Sequence, residues 1–342
     1  MVKIRNKKPP IKVSPELKGY LTEQHRSFQL PIEYNDLTQF TNSISIYNQQ
    51  GEDTLWYAVN YDQSTREMIH DGLKHIYALL KTDGQMDVMD HLEVDRIDYC
   101  SFGNSKPFRI RVINKYNDNY DHYYVKKSDA NRVYGLELED LLSPNRFHYL
   151  VDNDTLIEEH IAGVPGEIFI DKYIEHQKEE LNQVRIAKEF IKFNERCFIR
   201  LLGDMRAYNY VVVMTPDFED TQFRVRAIDF DQQCYEGHYK VYLTQFFKDN
   251  NAIVKMVIDN LNRTTQDQYI KEERTLLYKR YKSEKEKVKQ LIAVMENDIL
   301  APPQNISQLA KELNQYHNTT IFNTCQTMGS ILKNNLMVSL GL

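Results

Sequence analysis

Three oxygen-bearing side chains at defined spacings are the first candidates for chemistry in this sequence. Asp204 lies five residues before Asn209, and Asp229 follows two short apolar stretches further along the chain. Mg²⁺ prefers oxygen ligands and shares its remaining positions with water and substrate phosphate. A separate carboxylate can accept the proton of an attacking hydroxyl group. Asn209 and Asp229 are therefore predicted metal ligands, and Asp204 is a predicted base for phosphoryl transfer.

A β-hairpin must position these side chains. Residues 210–214 and 223–228 read as two strands joined by the polar turn 215–222. Antiparallel pairing puts the start of the first strand beside the end of the second. Asn209 and Asp229 are therefore expected to be neighbours in space, although they lie 20 residues apart in the sequence.

The residues around this hairpin resemble the signatures of the protein-kinase-like superfamily, and more closely those of its aminoglycoside phosphotransferase and choline kinase branch. That branch has H-G-D-x-x-x-x-N, then a hydrophobic strand and I-D-F-[DE]; this chain has L-G-D at 202–204, Asn209, and I-D-F-D at 228–231. The resemblance implies that Asp204 is the catalytic base and that Asn209 and Asp229 hold Mg²⁺. It also implies that Arg206 contacts the transferred phosphoryl group.

The same resemblance predicts a strand lysine that clamps the nucleotide phosphates and a helix glutamate that orients this lysine. Lys126 follows an aliphatic residue at the end of a predicted strand, and Lys127 is the alternative because the strand register decides which lysine faces the ligand. The next helix offers Glu137 and Glu139. Only one of them is expected to face inward, and Glu139 is preferred.

Two further segments are predicted to contact the nucleotide. The turn 101–107 contains Gly103 where protein kinases have a glycine-rich loop, so the backbone N–H groups from Gly103 to Ser105 are expected to cap phosphates. Strand 155–161 corresponds to the segment that meets the adenine ring, with the backbone of Glu159 and its neighbours as the hydrogen-bonding edge.

Hydrophobic periodicity divides the rest of the chain into a sheet-rich part and a helical part. An apolar stripe at helical spacing predicts a helix over 64–80. Further elements are predicted in order along the chain: strands over 94–100, 108–112 and 122–127, a helix over 130–142, a strand over 155–161, and helices over 167–174, 178–201 and 269–295. Residues 1–53 are polar and contain four prolines that interrupt long helices.

Composition excludes several classes of protein. Among 342 residues, Lys plus Arg is 43 and Asp plus Glu is 49, and the net charge of −6 argues against nucleic acid as a partner. No apolar run approaches the roughly 18 residues of a membrane helix, so no membrane association is expected. The four cysteines are far apart and have no metal-ligand spacing, which favours reduced thiols in a cytoplasmic protein.

Taken together, these features predict an α+β chain with a two-lobed protein-kinase-like fold, a small antiparallel-sheet N-lobe and a mainly helical C-lobe. The expected boundaries are 1–92 for an N-terminal extension, 93–161 for the N-lobe and 162–342 for the C-lobe. The expected activity is phosphoryl transfer from ATP, with Mg²⁺, to a hydroxyl of an unidentified small molecule or protein. The alternatives are AMP transfer on the same fold and a non-catalytic nucleotide-binding pseudokinase scaffold.

Overall fold

The computed structural model describes residues 8–48, 50–82, 84–102, 105–176, 181–218 and 220–342. The chain is α+β, with an antiparallel sheet in its N-terminal part and a helical C-terminal part. It divides into two compact units. The sheet unit comprises Lys12–Asp129 and Phe147–His160, and the helical unit comprises Ala130–Arg146 and Ile161–Leu342 with the N-terminal stretch that ends at Ile11.

In the described part of the chain, the sheet unit contains one seven-stranded antiparallel sheet, in the spatial order β1-β2-β3-β4-β5-β7-β6. Its elements are α1 Pro15–Glu23, α2 Tyr34–Leu37, β1 Asn42–Tyr47, β2 Asp53–Asn60, α3 Gln63–Thr82, a 3₁₀ turn Asp87–Met89, β3 Leu92–Cys100, β4 Phe108–Asn114, β5 Tyr120–Lys127, β6 Tyr149–Asp152 and β7 Thr155–Glu159. The predicted strands are present, and β1, β2 and β6 are additions to them.

Helix α3 contributes apolar side chains to the core of the sheet unit. Ile69, Leu73 and Ile76 recur at spacings of three and four, as the sequence predicts, and all three are fully buried. They share one hydrophobic cluster with the inward-facing residues of β4 and β5. The helix ends as expected, because Gly84 adopts the left-handed conformation that a side chain disfavours and its N–H donates to Ala78 O.

The predicted boundaries of the N-terminal part differ from the observed ones. Residues 12–92 were expected to form part of an extension, but β1 and β2 continue the sheet and α3 builds its core. Residues 130–146, expected within the N-lobe, belong to the helical unit. Hydrophobic periodicity identifies α3 but does not show which sheet its apolar face covers, and this explains the difference.

Among its described residues, the helical unit contains a small three-stranded sheet, in the order β10-β9-β8. Its helices and strands are α4 Ala130–Leu142, β8 Val164–Pro165, α5 Gly166–Ile168, a π-helix Phe169–Glu175, α6 Gln183–Arg200, β9 Tyr210–Pro216, β10 Thr221–Ala227, α7 Asn251–Asn260, α8 Arg263–Ser283, α9 Lys285–Asn297, α10 Pro303–His317 and α11 Met328–Leu340. Short 3₁₀ turns lie at Ala207–Asn209, Tyr239–Tyr242, Thr244–Phe246, Lys248–Asn250 and Ile321–Thr324. The long helix predicted over 269–295 is two helices, α8 and α9.

Helix α4 is buried on every side, since all thirteen of its residues are buried. The sequence predicted its bounds correctly but also predicted that only one of Glu137 and Glu139 would face inward. Both glutamates are buried, because a helix enclosed all round has no solvent-facing side, and which of them faces a strand lysine stays a prediction. Each buried charge on such a helix requires an opposite charge or a hydrogen-bond partner.

None of the helices within the described ranges is both long enough and apolar enough to cross a membrane. The four cysteines are free thiols, and three of them are buried.

Candidate functional site

The hairpin of β9 and β10 is present in the predicted arrangement. Tyr210 at the start of β9 pairs with Ala227 at the end of β10. One residue beyond this pair, the N–H of Ile228 donates to Asn209 O at 3.0 Å. The residues that follow Ile228 therefore emerge beside Asn209, and this brings Asp229 next to the loop that precedes β9.

Asp204 lies on a tight loop after helix α6. Leu201 and Asp204 both have positive φ angles, 54° and 59°. A non-glycine residue rarely adopts this conformation, although aspartate tolerates it better than most. Backbone hydrogen bonds fix the loop: Gly203 N donates to Gln232 O at 3.2 Å, and Asp204 N donates to Val241 O at 3.1 Å. Backbone strain of this kind is concentrated at functional sites.

The side chain of Asn209 ties this loop to the hairpin. Its Nδ2 donates to the backbone oxygen of Asp204 at 2.7 Å, and its own N–H donates to Arg206 O at 2.9 Å. Because the amide nitrogen is used in this way, the amide oxygen Oδ1 points to the other side of the group. That oxygen is the atom of Asn209 with the chemistry of a metal ligand.

Arg206 forms an ion pair with Asp204, with 2.8 Å between Nε and Oδ1. Its Nη1 donates to the Tyr208 hydroxyl at 3.1 Å, and the guanidinium lies 5.7 Å from the centre of the Phe247 ring. The contact with Asp204 places Arg206 directly beside the predicted base. Its predicted contact with a phosphoryl group stays a prediction.

Burial raises the pKa of Asp204 to about 7. The positive charge of Arg206 opposes this shift, whereas the negative charge of Asp229 adds to it. A carboxyl group with a pKa near neutrality exchanges its proton readily at physiological pH, which is the property that a general base needs.

A buried arginine that sequence analysis missed holds Asp229 and Asp231. Arg132, in the first turn of α4, donates from Nη2 to Asp229 Oδ1 at 2.7 Å and from Nε to Asp231 Oδ1 at 2.7 Å. Asp229 Oδ1 also accepts from Asp231 N at 3.0 Å. Arg132 and Asp229 are 97 residues apart. No local spacing pairs them, and Arg132 is only one of four charged residues in a mainly apolar helix.

The glutamates predicted to orient a lysine lie on the same helix. Both Glu137 and Glu139 are buried. Glu139 forms an ion pair with Arg200, and its other oxygen accepts from Asn145 Nδ2 at 3.1 Å. Burial alone would raise the pKa of Glu139, but the charge of Arg200 and the hydrogen bonds lower it below its usual value. Arg200 is a different partner from the lysine predicted for Glu139, and the role of Glu137 stays a prediction.

The strand register separates the two candidate lysines of β5. Lys126 is buried and pairs with Glu158 of β7 at 2.6 Å, whereas Lys127 is exposed and lies 5.5 Å from the centre of the Tyr34 ring. Lys126 also lies 5.3 Å from the centre of the Tyr124 ring on the same face of the sheet. The two lysines thus point to opposite faces, as alternation along a strand requires.

Two segments are predicted to contact a nucleotide through their backbone. Gly103 lies outside the described residues. Ser105 is described, and its carbonyl oxygen accepts from Lys127 N at 3.5 Å. The N–H of Glu159 donates to His148 O at 3.0 Å, and its carboxylate accepts from His148 N. Because β7 lies between β5 and β6, this N–H of Glu159 is already engaged within the sheet. The predicted contact of the backbone around Glu159 with an adenine ring stays a prediction.

The donor groups around Asn209 and Asp229 fit a hard divalent cation. Asn209 offers an amide oxygen, and Asp229 offers a carboxylate that Arg132 orients through one oxygen. Mg²⁺ typically uses one or two protein carboxylates and keeps water or phosphate in its other positions. Within the described ranges, no group of three or more His, Cys, Asp or Glu side chains is placed to hold a metal ion.

No protein-family model matches the chain, and a search of curated proteins finds no match.

Proposed function

We propose that this chain is an ATP- and Mg²⁺-dependent phosphotransferase of the protein-kinase-like type, acting on a hydroxyl group of a small molecule or a protein. One observation carries the proposal. The loop at Asp204 and the two ends of the β9–β10 hairpin meet, so that a carboxylate with a raised pKa, an amide and a second carboxylate lie together. These are the groups that phosphoryl transfer to a hydroxyl requires.

The proposed roles follow from the contacts of each group. Asn209 and Asp229 hold Mg²⁺, which neutralises the charge of the transferred phosphoryl group. Asp204 accepts the proton of the acceptor hydroxyl, and Arg206 keeps its carboxylate in one orientation through the 2.8 Å ion pair. Because the pKa of Asp204 is about 7, turnover is expected to rise as the pH increases through this value.

On the sheet unit, the proposal assigns the nucleotide phosphates to Lys126. Its burial and its contact with Glu158 fix the position of the ammonium group, which is the role that a helix glutamate has in protein kinases. Lys127 is exposed and on the opposite face of the strand. This difference favours Lys126 of the two lysines.

The second candidate is a non-catalytic nucleotide-binding scaffold with the same fold. One observation favours it: an ion pair with Arg132 already engages the Asp229 carboxylate. A scaffold of this kind binds MgATP but does not transfer its phosphate.

A screen for ATP consumption separates the two candidates. Wild-type protein and an Asp204→Ala variant would be incubated with MgATP and with sugars, aminoglycosides, choline-like amines or an extracted protein pool. The proposal predicts acceptor-dependent ADP formation that the variant lacks, while both proteins show a thermal shift with MgATP. Mass spectrometry of the product distinguishes an added phosphate from an added AMP. A thermal shift without turnover on any acceptor would favour the scaffold.

A further inference from the structure

The two edges of the seven-stranded sheet differ in how the chain covers them. At one edge, β6 is entirely buried, and the chain around Ser27 runs beside it: Val151 N donates to Arg26 O at 2.8 Å, and Ser27 forms a parallel bridge with Val151. At the other edge, β1 pairs with β2 on one side and with no strand of the described residues on its other side. An uncovered edge strand carries a row of backbone groups that can pair with another chain.

Strand β1 lacks the features that usually prevent such pairing. Residues 42–48 contain no charged residue and no proline, which are the common means of protecting an exposed edge. Ile44 and Tyr47 are each 61% exposed, and Leu55 on β2 is 42% exposed. The irregular step in the pairing of β1 with β2 lies between Ile46 and Tyr47, so the strand is regular before that point.

The backbone of β1 shows which residues face the open edge. Ile46 O accepts from Thr54 Oγ1 of β2 at 2.6 Å, so the carbonyl group of Ile46 points towards β2. Backbone groups point to alternate sides along a strand, so those of Ser45 and Ser43 point away from β2. In agreement with this, the N–H of Ser43 donates to the neighbouring Asn42 Oδ1 at 2.7 Å. Ser43 and Ser45 therefore direct their N–H and C=O groups towards a further strand.

The sequence of β1 is complementary to itself in antiparallel pairing. When Ser45 lies opposite Ser45 of a second copy, Ile44 of each copy lies opposite Ile46 of the other. The four isoleucines then share one face of the joined sheets, in the non-hydrogen-bonded kind of pair in which side chains lie closest. Ser45, whose backbone groups face outwards, forms the hydrogen-bonded pair at the two-fold axis.

Charge also favours a second copy as the partner. A two-fold interface brings the same surface against itself, so a net charge on that surface would repel. The whole chain carries −6, but β1 carries no charge and β2 carries only Asp53 at its first position. A strongly charged partner would find no charged side chain on β1 to contact.

We propose that β1 is a homodimer interface, in which two copies of the chain join their sheets edge to edge through antiparallel pairing of residues 43–47, with Ser45 on the two-fold axis. A single pair of five-residue strands is small compared with a standard interface of roughly 1,600 Å². We therefore expect a reversible dimer whose population rises with concentration. The inference is independent of the proposed function, because β1 contains none of the proposed site residues.

Analytical ultracentrifugation of the full-length protein, from about 1 µM to about 300 µM, tests the association. We expect a monomer–dimer equilibrium for wild type. Ile44→Lys/Ile46→Lys and Ile44→Glu/Ile46→Glu each bring like charges into opposition, so each variant alone should dimerise at least about tenfold more weakly. An equimolar mixture of the two opposes lysine to glutamate and should recover an affinity within about threefold of wild type.

Ile258→Lys is the control for this experiment, because Ile258 is 68% exposed on helix α7 and lies far from β1 in the sequence. It should dimerise as wild type does. A wild-type protein that stays monomeric over the whole concentration range would overturn the proposal. A mixture of the two charged variants that associates no better than either alone would also overturn it.

Disulfide formation tests the register of the pairing. On mild air oxidation, Ser45→Cys should give a covalent dimer, because the Cα atoms of a hydrogen-bonded pair lie about 5.5 Å apart, within the range of a disulfide. Ser43→Cys is the matched control: its two copies would lie roughly 13 Å apart along the strands, so it should stay uncrosslinked. Wild type controls for the four native cysteines. Absence of a Ser45→Cys dimer, or equal crosslinking of the two variants, would overturn this pairing.

Discussion

The ionised form of Asp204 destabilises the folded protein. Its carboxyl group is largely buried, and the nearby charge of Asp229 adds to the unfavourable effect of burial on the ionised form. Arg206 compensates for this only in part, since the pKa stays near 7. A residue that destabilises the folded state when it is ionised is typical of sites kept for activity.

An Asp204→Asn variant should therefore be more stable than wild type at alkaline pH. The folded-state pKa is raised from about 3.8 to about 7, so the wild-type protein loses stability as the pH rises through this interval. The asparagine avoids this loss. We expect a gain of about 2–4 kcal/mol at pH 8.5 and a much smaller gain at pH 5. Urea unfolding in the presence of EDTA measures the gain in the free energy of unfolding at each pH.

Glu286→Gln is the control for this experiment, because Glu286 is highly exposed on helix α9. Its free energy of unfolding should match that of wild type at both pH values. An Asp204→Asn variant whose gain is the same at pH 5 and pH 8.5 would contradict the raised pKa.

Lys126 and Lys127 provide a second test at the scale of single residues. Because Lys126→Met alone would remove the ion pair with the buried Glu158, the variant also carries Glu158→Gln. We expect this double variant to lose the thermal shift with MgATP. Lys127→Met should keep the thermal shift. When the nucleotide is 100-fold above its Kd, binding stabilises the folded protein by about 2.7 kcal/mol. Loss of the shift in Lys127→Met alone would assign the phosphates to the other lysine.

Helix α4 is the element on which the site depends most. Its first turn contacts the Asp229 segment, and its last turns hold Arg200 and Asn145 through Glu139. Such a helix needs one position without a side chain where it meets Phe230, and Gly135 supplies it.

Gly135→Ala should destabilise the protein by about 1–3 kcal/mol, because the added Cβ displaces Phe230 Cβ, an atom next to the backbone that moves little. Gly19→Ala in helix α1 is the matched control. A Cβ there meets nothing within 4 Å, so we expect a gain of up to about 1 kcal/mol from helix propensity. Urea unfolding of both variants compares their free energies of unfolding. A Gly135→Ala variant more stable than wild type would show that α4 is packed more loosely.

The sequence predicted elements better than it predicted the contacts between them. The bounds of α4, the apolar stripe of α3 and the β9–β10 hairpin follow from local periodicity and turn residues. Strand β6 was missed because it has only four residues, although the Asn153-Asp154 turn beside it was a usable signal. The ion pair between Arg132 and Asp229 depends on tertiary packing, and no local pattern contains that information.

For the molecule as a whole, the N-terminal part is a structural component of the sheet unit. Strands β1 and β2 extend the sheet, and α3 supplies fully buried side chains to the core. If these residues were only an extension packed on a complete domain, the domain would still fold without them. Removal of these elements would expose the apolar face of β4 and β5.

Leu73→Ala in α3 should therefore reduce the free energy of unfolding by about 2–5 kcal/mol, since Leu73 is completely buried. Met68→Ala on the same helix is the control; Met68 is 55% exposed, and its substitution should change stability by less than about 0.5 kcal/mol. Denaturant unfolding followed by circular dichroism compares the two. Equal, small effects would mean that α3 is dispensable and that the first 92 residues are an extension after all.

The distance of 97 residues between Arg132 and Asp229 also matters during synthesis on the ribosome. At roughly 5–20 residues per second, α4 is complete roughly 5–20 seconds before its acidic partners are made. During that interval, a helix destined for full burial carries Arg132 and Glu139, whose ionic partners Asp229, Asp231 and Arg200 have not all been translated. A nascent chain paused in this window would be a natural client for chaperones.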